Sequence, residues 1–472
     1  MGPAEIRKKM VELLGKEKVV DDDVSLKAYS YDSSFMARRN RFNPDAVIFP
    51  VSTEDVVKVV KFANENLVPL IPRGASTGET CGSIATTGGI VMDMCRWDAI
   101  EEIDVANMQV IARPGVIHVN LNSKLAEHGL IFAPDPGSSR MCTLGGMVAN
   151  NAGGLRAVKY GSTENHVLGM EVVTPTGEVI TTGGVHSRAI KSVSGMNLTK
   201  LFCGSEGVLG VITKLRLRLI PKPKGRGMLM AVFAQKKEAP AAVLAVYKSG
   251  ILPSVVEILD ESSIEAVNLF KPSLNLPQKE AILLFEVDGS PASVKDEGEM
   301  IVEVLKGRAE SVEFTTDPKR MAELWEGRAL VAVAATRLRA DGTRIMAADD
   351  VCVPISRMAE ALDRIREIGA NNGLRVVNYG HIGDGNIHTA PILDIDNPAE
   401  VALVDKLCDD IHRMAIDMDG STTGEHGVGV VRAMYAEDEH GRAVHFMRAI
   451  KKAFDPNNIM NPGKLFLMEE GK

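Results

Sequence analysis

Apolar and polar positions alternate most legibly between residues 46 and 72, where AVIFPV, EDVVKVVKFANEN and VPLIP follow one another. The outer runs are short and rich in branched side chains, as strands are. The middle run repeats apolar residues at Val56, Val59 and Ala63, one face of a helix. The expectation is strand, helix, strand. GGIVMDM and QVIARPG add short strands, and a helix is expected from Asn120 to His128. Beyond residue 221, alternating apolar strands and amphipathic helices recur in GMLMAVFA, EAPAAVLAVYKSG, AILLFEVDG and EGEMIVEVLKG, a βαβ-like rhythm that runs to about residue 420. The tail predicts a helix from about 438 to 454. The N-terminal MGPAEIRKKMVELLGKE predicts an amphipathic helix with Ile6, Met10 and Leu13 on one side.

Between these two patterned regions lies PKPKGRG, a basic Pro/Gly-rich stretch of the kind that separates domains. A chain of 472 residues is too long for one small core, so division there is expected. Apolar residues make up 45% and charged residues 25%, which is ordinary for a soluble globular protein. The net charge of -8, with no Lys/Arg run, argues against nucleic acid as a partner. The six Cys form no CxxC pair, which excludes an encoded iron–sulfur or zinc-ribbon motif and fits free thiols in a reducing cytosol. No stretch approaches a membrane span and the N-terminus lacks a signal-peptide core, so a cytoplasmic protein is expected.

Two kinds of segment carry candidate chemistry. RGASTGETCGS, TLGGMVANNAGGLRAVKYGS and FCGSEGVLGVIT are Gly-rich, and their backbone amides can approach phosphate groups closely. Neither GxGxxG in a Rossmann context nor GxxxxGK[ST] is present. Three such segments in one half of the chain predict a large, extended phosphate-bearing cofactor. The second kind is GHIGDGNIH and GEHGVG, which place His381, His388, Glu425 and His426 among glycines. Imidazole and carboxylate bind borderline divalent metals, and a further His can act as a base near neutral pH. The turn residues between His381 and His388, flanked by Val376, Val377, Tyr379, Ile387 and Ile392, predict a hairpin that brings both rings together. Isolated histidines are usually structural, and His118, His128, His412, His440 and His445 are assigned so.

PRGAST, PDPGS, GGMVANNAGG, GSEGVLGVIT, GHIGDGNIH, GEHGVG and FDPNNIMNPGK occur in that order across nearly the whole chain. With them the chain resembles the flavin-dependent D-2-hydroxyacid dehydrogenases of the vanillyl-alcohol-oxidase superfamily, a group that includes glycolate-oxidase catalytic subunits, D-lactate dehydrogenases and D-2-hydroxyglutarate dehydrogenases. The resemblance implies an α+β fold: a two-subdomain FAD-binding domain over residues 1–222, an α+β cap domain over 223–422, and a C-terminal segment, 423–472, that returns to the first. It implies that Arg73, Gly74, Ser76, Thr77 and Gly78 line the FAD pyrophosphate. Pro134, Asp135, Ser138, Gly145, Ala149, Asn150, Gly153, Gly154 and Tyr160 would follow the flavin and ribityl chain. Glu206, Gly207 and Ile212 would hold the far part of the cofactor, and Asn461 would approach the ring. Relatives with covalent flavin carry a His in the first Gly-rich segment; RGASTGETCGS has none, so FAD is expected to be non-covalent.

The same resemblance assigns His381, His388 and Glu425 as metal ligands, His426 as catalytic base and Arg328 as the cation for a substrate carboxylate. The metal would be Zn, Mn or Fe. Relatives specific for 2-hydroxyglutarate carry a Lys shortly before the strand that here reads DDVCVP; residues 347–349 are AAD. Together with apolar Leu330, Val331 and Val333 near Arg328, this favours D-lactate or glycolate over a dicarboxylate, although Arg337, Arg339 and Arg344 stand nearby in sequence. Reduced FAD needs an acceptor that the chain does not encode, so an electron-transferring flavoprotein or an iron–sulfur subunit is the expected partner, and a homo-oligomer is compatible with the sequence. The alternatives are a D-2-hydroxyglutarate dehydrogenase or a non-redox alkyl transferase on the same FAD fold.

Overall fold

A computed structural model describes residues 1–340, 342–345 and 350–467, without the Arg344 side chain. The chain forms two compact units. One comprises Met1–Gly154, Gly161–Lys222 and Glu425–Lys472; the other comprises Leu155–Tyr160 and Pro223–Gly424. The crossing at Gly424 and Glu425 falls inside GEHGVG.

In the first unit, β1 (Ala46–Ile48), α1 (Thr53–Asn66) and β2 (Leu70–Arg73) form the expected strand, helix and strand. The Ser52 side chain caps α1 by accepting from the Asp55 N–H, and Val56, Val59, Val60 and Ala63 are buried. β3 (Ile90–Asp93) lies between β1 and β2 and is parallel to both. The C-terminal segment continues this sheet's hydrogen bonding: Leu70 N–H donates to Ile459 O, and Asn461 N–H donates to Leu70 O, both at 2.8 Å. A second, antiparallel sheet orders Ile100–Asp104, Gln109–Ala112, Val211–Arg218, Val167–Val173 and Val179–Thr181.

Two helix boundaries and one buried helix face differ from expectation. The helix expected at Asn120 begins at His118 and ends at Ala126, before Gly129 turns the chain at φ 67°. The tail helix is two helices, Ala436–His440 and Ala443–Phe454, because Gly441 sits at φ 54° between them. The N-terminal helix, Pro3–Leu14, buries Ile6, Met10 and Leu14, a spacing of four and four, and leaves Leu13 half-buried.

The second unit is built on one antiparallel sheet. Its central strands include β4 (Val255–Asp260), β5 (Ala281–Gly289), β6 (Arg375–His381) and β7 (Asn386–Leu393). β4 pairs with β5 on one side and β6 on the other, and β6 pairs with β7. Every residue of β4 and β7 is buried, the signature of a sheet covered on both faces. α2 (Pro318–Ala334) packs Leu324, Val331 and Ala334 into the same core as Leu259, Val377 and Ile392.

Candidate active site

The hairpin predicted from GHIGDGNIH is β6 and β7, and its register explains the pairing of the two rings. Tyr379 stands opposite His388, and His381 stands opposite Asn386. Positions 379 and 381 share one face of β6 because side chains alternate along a strand, so His381 and His388 are diagonal neighbours on that face. Their Nε2 atoms lie 3.2 Å apart, and both residues are buried.

The opposite side of the His381 ring is fixed by a residue that sequence reading missed. Glu257, in the middle of β4 and 0% exposed, places Oε1 2.5 Å from His381 Nδ1. Its Oε2 accepts from Arg328 Nε at 2.5 Å. Burial pushes the Glu257 carboxyl up, but His381 and Arg328 together outweigh burial and hold it below its usual range. With Nδ1 engaged, His381 presents Nε2 as a ligand atom, the usual division of labour when a carboxylate stands behind a metal-binding His.

Asp350 is a second residue the sequence reading passed over. Its carboxylate comes within 4.8 Å of a His388 ring nitrogen, and it accepts from Asn386 Nδ2 at 3.0 Å and from the Thr423 hydroxyl. Asn386 Oδ1 is buried without a hydrogen-bond partner among the described residues. Two converging imidazole nitrogens, a nearby carboxylate and an unsatisfied amide oxygen form a donor set that suits a borderline divalent cation.

Arg328 lies on α2 with its guanidinium 4.6 Å from the Tyr379 ring centroid. Glu257 takes its Nε, while Nη1 and Nη2 have no hydrogen-bond partner among the described residues. The expected apolar surroundings are corrected here. Val331 belongs to the core and Val333 is 56% exposed, because sequence neighbours on a helix point in different directions. Arg339 forms a two-pronged pair with Glu400 at 2.6 and 3.0 Å, and Arg337 lies over Phe270. Residues 347–349 lie outside the described residues, as does the Arg344 side chain.

In the first unit the Gly-rich segments pack closely, through both backbone and small side chains. A Cβ on Gly74 would lie 2.3 Å from Thr143 Oγ1, and one on Gly154, at φ 136°, would lie 2.0 Å from Asp135 O. Gly145 N–H donates to Pro114 O, and Glu206 N–H donates to Ala149 O at 2.8 Å. Gly207, at φ 74°, packs on Pro72, and Ile212 pairs with Val172. Pro134 and Gly153 are buried, and Ser138 O closes the following turn by accepting from Met141 and Cys142 N–H.

Arg73 is buried with its guanidinium on Tyr29 O and Tyr31 O, so its side chain builds the turn. Ser76, at φ 56°, donates to Tyr31 O, and Thr77 and Gly78 follow it, with nothing within 4 Å of a Cβ added to Gly78. Tyr160 belongs to the second unit, where its hydroxyl bonds Asp288 at 2.9 Å.

The C-terminal motifs close on the same segments. Asn150 Nδ2 donates to Glu425 O at 2.9 Å. The Glu206 carboxylate accepts from Val428 and Gly429 N–H at 2.7 Å each. Burial pushes the Glu206 carboxyl up, against these two donors. Asn461 donates to Gly82 O and Glu206 O, and its Oδ1 is buried without a partner among the described residues. An unused buried acceptor at the position expected to approach the flavin ring, within glycine-lined segments, fits the FAD expectation.

His426 Nδ1 lies 3.3 Å from Glu79 Oε2, and its Nε2 lies 3.7 Å from Glu425 Oε1. All six cysteines are free thiols, and burial pushes Cys81, in the first Gly-rich turn, up to about 12. No helix among the described residues is long and apolar enough to cross a membrane.

Residues 44–183 match the family described as "FAD binding domain", and residues 222–465 match "FAD linked oxidases, C-terminal domain". The chain is 35% identical to the glycolate oxidase subunit GlcD of Bacillus subtilis (strain 168), over 99% of this chain and 98% of that protein. It is 33% identical to the D-lactate dehydrogenase of Anaerostipes hadrus, over 98% and 97%. Among solved structures, p-cresol methylhydroxylase with substrate bound superposes with a TM-score of 0.82 at 18% identity, over 99% of this chain and 97% of that one. That likeness shows a fold of the vanillyl-alcohol-oxidase type, as expected.

Proposed function

The chain belongs to the FAD-linked oxidase family of flavoprotein oxidoreductases, and from that premise we propose that it oxidises a short D-2-hydroxyacid, D-lactate or glycolate, to the 2-oxoacid. The observation that carries this reading is the His381 and His388 pair, with Nε2 atoms 3.2 Å apart and His381 held from behind by Glu257. It is a site for a cation that binds a hydroxyacid through hydroxyl and carboxylate oxygens. The names of the two relatives point to the same substrate class.

In this reading His381, His388 and Glu425 hold one divalent metal of the Zn, Mn or Fe type. When bound, the metal lowers the substrate hydroxyl's pKa and non-covalent FAD accepts the hydride. His426 takes the hydroxyl proton, a role worth ~10²–10⁴-fold. Arg328, with Nη1 and Nη2 uncommitted, pairs with the substrate carboxylate, for which a planar guanidinium is well suited. The engagement of Arg339 by Glu400 and of Arg337 by Phe270 supports a single carboxylate over a dicarboxylate. Electrons then leave to a separate protein, an electron-transferring flavoprotein or an iron–sulfur subunit.

The test is anaerobic titration of the flavin-loaded protein with D-lactate, glycolate and D-2-hydroxyglutarate, with and without chelator. D-lactate or glycolate should bleach the flavin absorbance, and chelator should slow the bleaching. Absence of bleaching by all three acids would overturn the reading. His426→Ala should retain flavin and lose reduction by ~10²-fold or more. Acid precipitation should release the flavin into the supernatant.

A further inference from the structure

We infer that Glu79 is the positioning carboxylate of His426, holding the imidazole so that Nε2 is the nitrogen that receives the substrate proton. The inference deepens the proposed function and rests on His426 being its base. Glu79 stands in RGASTGETCGS, the first Gly-rich turn, a segment otherwise composed of small residues apart from Arg73 at its start. A carboxylate there serves none of the close backbone approaches that the turn's small residues allow. Its side chain is only 15% exposed, and the His426 side chain 20%.

The backbone fixes the two residues against one another. Val430 N–H donates to Thr80 O at 2.9 Å. Gly429, at φ 52°, lets the strands of chain come so close that a Cβ there would lie 2.0 Å from Thr80 O. On the other side, Asp32 Oδ2 accepts from Cys81 N–H at 2.8 Å, and Cys81 itself sits at φ 59°. The residues just beyond Glu79 are thus tied to the segment that follows His426, and the Glu79 side chain reaches the His426 ring from that base.

The ring then separates two carboxylates. Nδ1 lies 3.3 Å from Glu79 Oε2, within ion-pair distance though not in hydrogen-bond geometry, and Nε2 lies 3.7 Å from Glu425 Oε1. Glu425 is the proposed metal ligand, so the Nε2 side is the one toward which a metal-held hydroxyl would lie. A small turn of the ring would direct the Nδ1 proton at Glu79; the lone pair then resides on Nε2, and the carboxylate offsets the positive charge that the ring gains on protonation. The hydroxyl O–H proton passes to His426 Nε2, bound FAD would take the hydride from the adjacent carbon, and the substrate becomes the 2-oxoacid. Glu79 remains ionised throughout.

The test compares Glu79→Gln, Glu79→Asp, His426→Ala and the double variant Glu79→Gln/His426→Ala in anaerobic single-turnover reduction by D-lactate or glycolate. Flavin content and, in flavin-free protein, the ¹⁵N shifts of selectively labelled His426 are measured alongside. Glu79→Gln should lower the limiting reduction rate by ~10–100-fold, part of the general-base contribution. The substrate concentration for half-maximal rate and the flavin content should stay as in the parent. Glu79→Asp should recover part of the rate, and the ¹⁵N pattern should move from an Nδ1–H tautomer in the parent toward a mixture in Glu79→Gln. In the double variant Glu79→Gln should add nothing to the loss from His426→Ala. A parent-like rate in Glu79→Gln, or an equal additional loss on the His426→Ala background, would overturn the inference while leaving the base assignment intact. Full reduction by His426→Ala would instead remove the base assignment, and this inference with it.

Discussion

The two units build their candidate chemistry in opposite ways. In the second unit, β6, β7 and β4 hold His381, His388 and Glu257 as side chains on strands whose register sets their spacing. In the first unit, main chain does most of the holding. Glu206 and Asn461, both at positive φ, bind backbone donors and carbonyls, and Gly154 passes within contact of Asp135 O. A sheet gives fixed ligand geometry with ordinary residues. Closely packed turns give room and amide groups for an extended cofactor, at the cost of positions where only a glycine fits.

The sharpest way to break this contrast is Gly154→Ala. The added Cβ would lie 2.0 Å from Asp135 O at a φ of 136°, so a loss of at least ~3 kcal/mol in the first unit is expected, and flavin retention should fail with it. Flavin content and a denaturant midpoint check this; full retention would mean that the close approach is dispensable. Next is Glu257→Gln, which keeps the side chain's shape and removes its charge between Arg328 and His381. Metal affinity should fall by ~10–100-fold with flavin content unchanged, as read by competition with a chromogenic chelator.

The smallest effect tests a buried cation in the turn-built unit. Lys464 is 3% exposed, and burial pushes it down to about 8 from 10.5. Because its folded value lies below its unfolded one, the unfolded chain binds more protons between those two values, and stability from this group rises with pH across that window. Urea midpoints at pH 8 and pH 10 should show a contribution of about 2 kcal/mol that Lys464→Met lacks. Equal pH dependence in both proteins would mean that Lys464 is not the group responsible.

Much of this contrast was legible in the chain. The strand, helix and strand of 46–72 were marked by local periodicity, and the hairpin by turn residues between two apolar runs. Glycine density marked the close approaches of 73–83, 145–154 and 204–210. The partners of the site residues were not legible. Glu257 lies 71 residues from Arg328 and 124 from His381, inside an apolar strand where nothing local sets it apart. Asp350 follows directly on Ala347, Ala348 and Asp349 with no local mark of its own, and its value as a ligand depends on His388 of β7. Glu79 has meaning only beside His426, near the other end of the chain.

What the sequence determined by itself was therefore local: element types, the glycine-dependent turns, the residues capable of metal and proton chemistry, and, through ordered motifs, the family. Tertiary structure decided which carboxylate stands behind which imidazole, which Arg nitrogens remain uncommitted, and which sequence neighbours of Arg328 point elsewhere. The physical reason is that backbone conformation follows from neighbours a few residues apart. The orientation of a His ring or a guanidinium is set instead by hydrogen bonds to groups brought near only by strand register and by backbone contacts between distant turns.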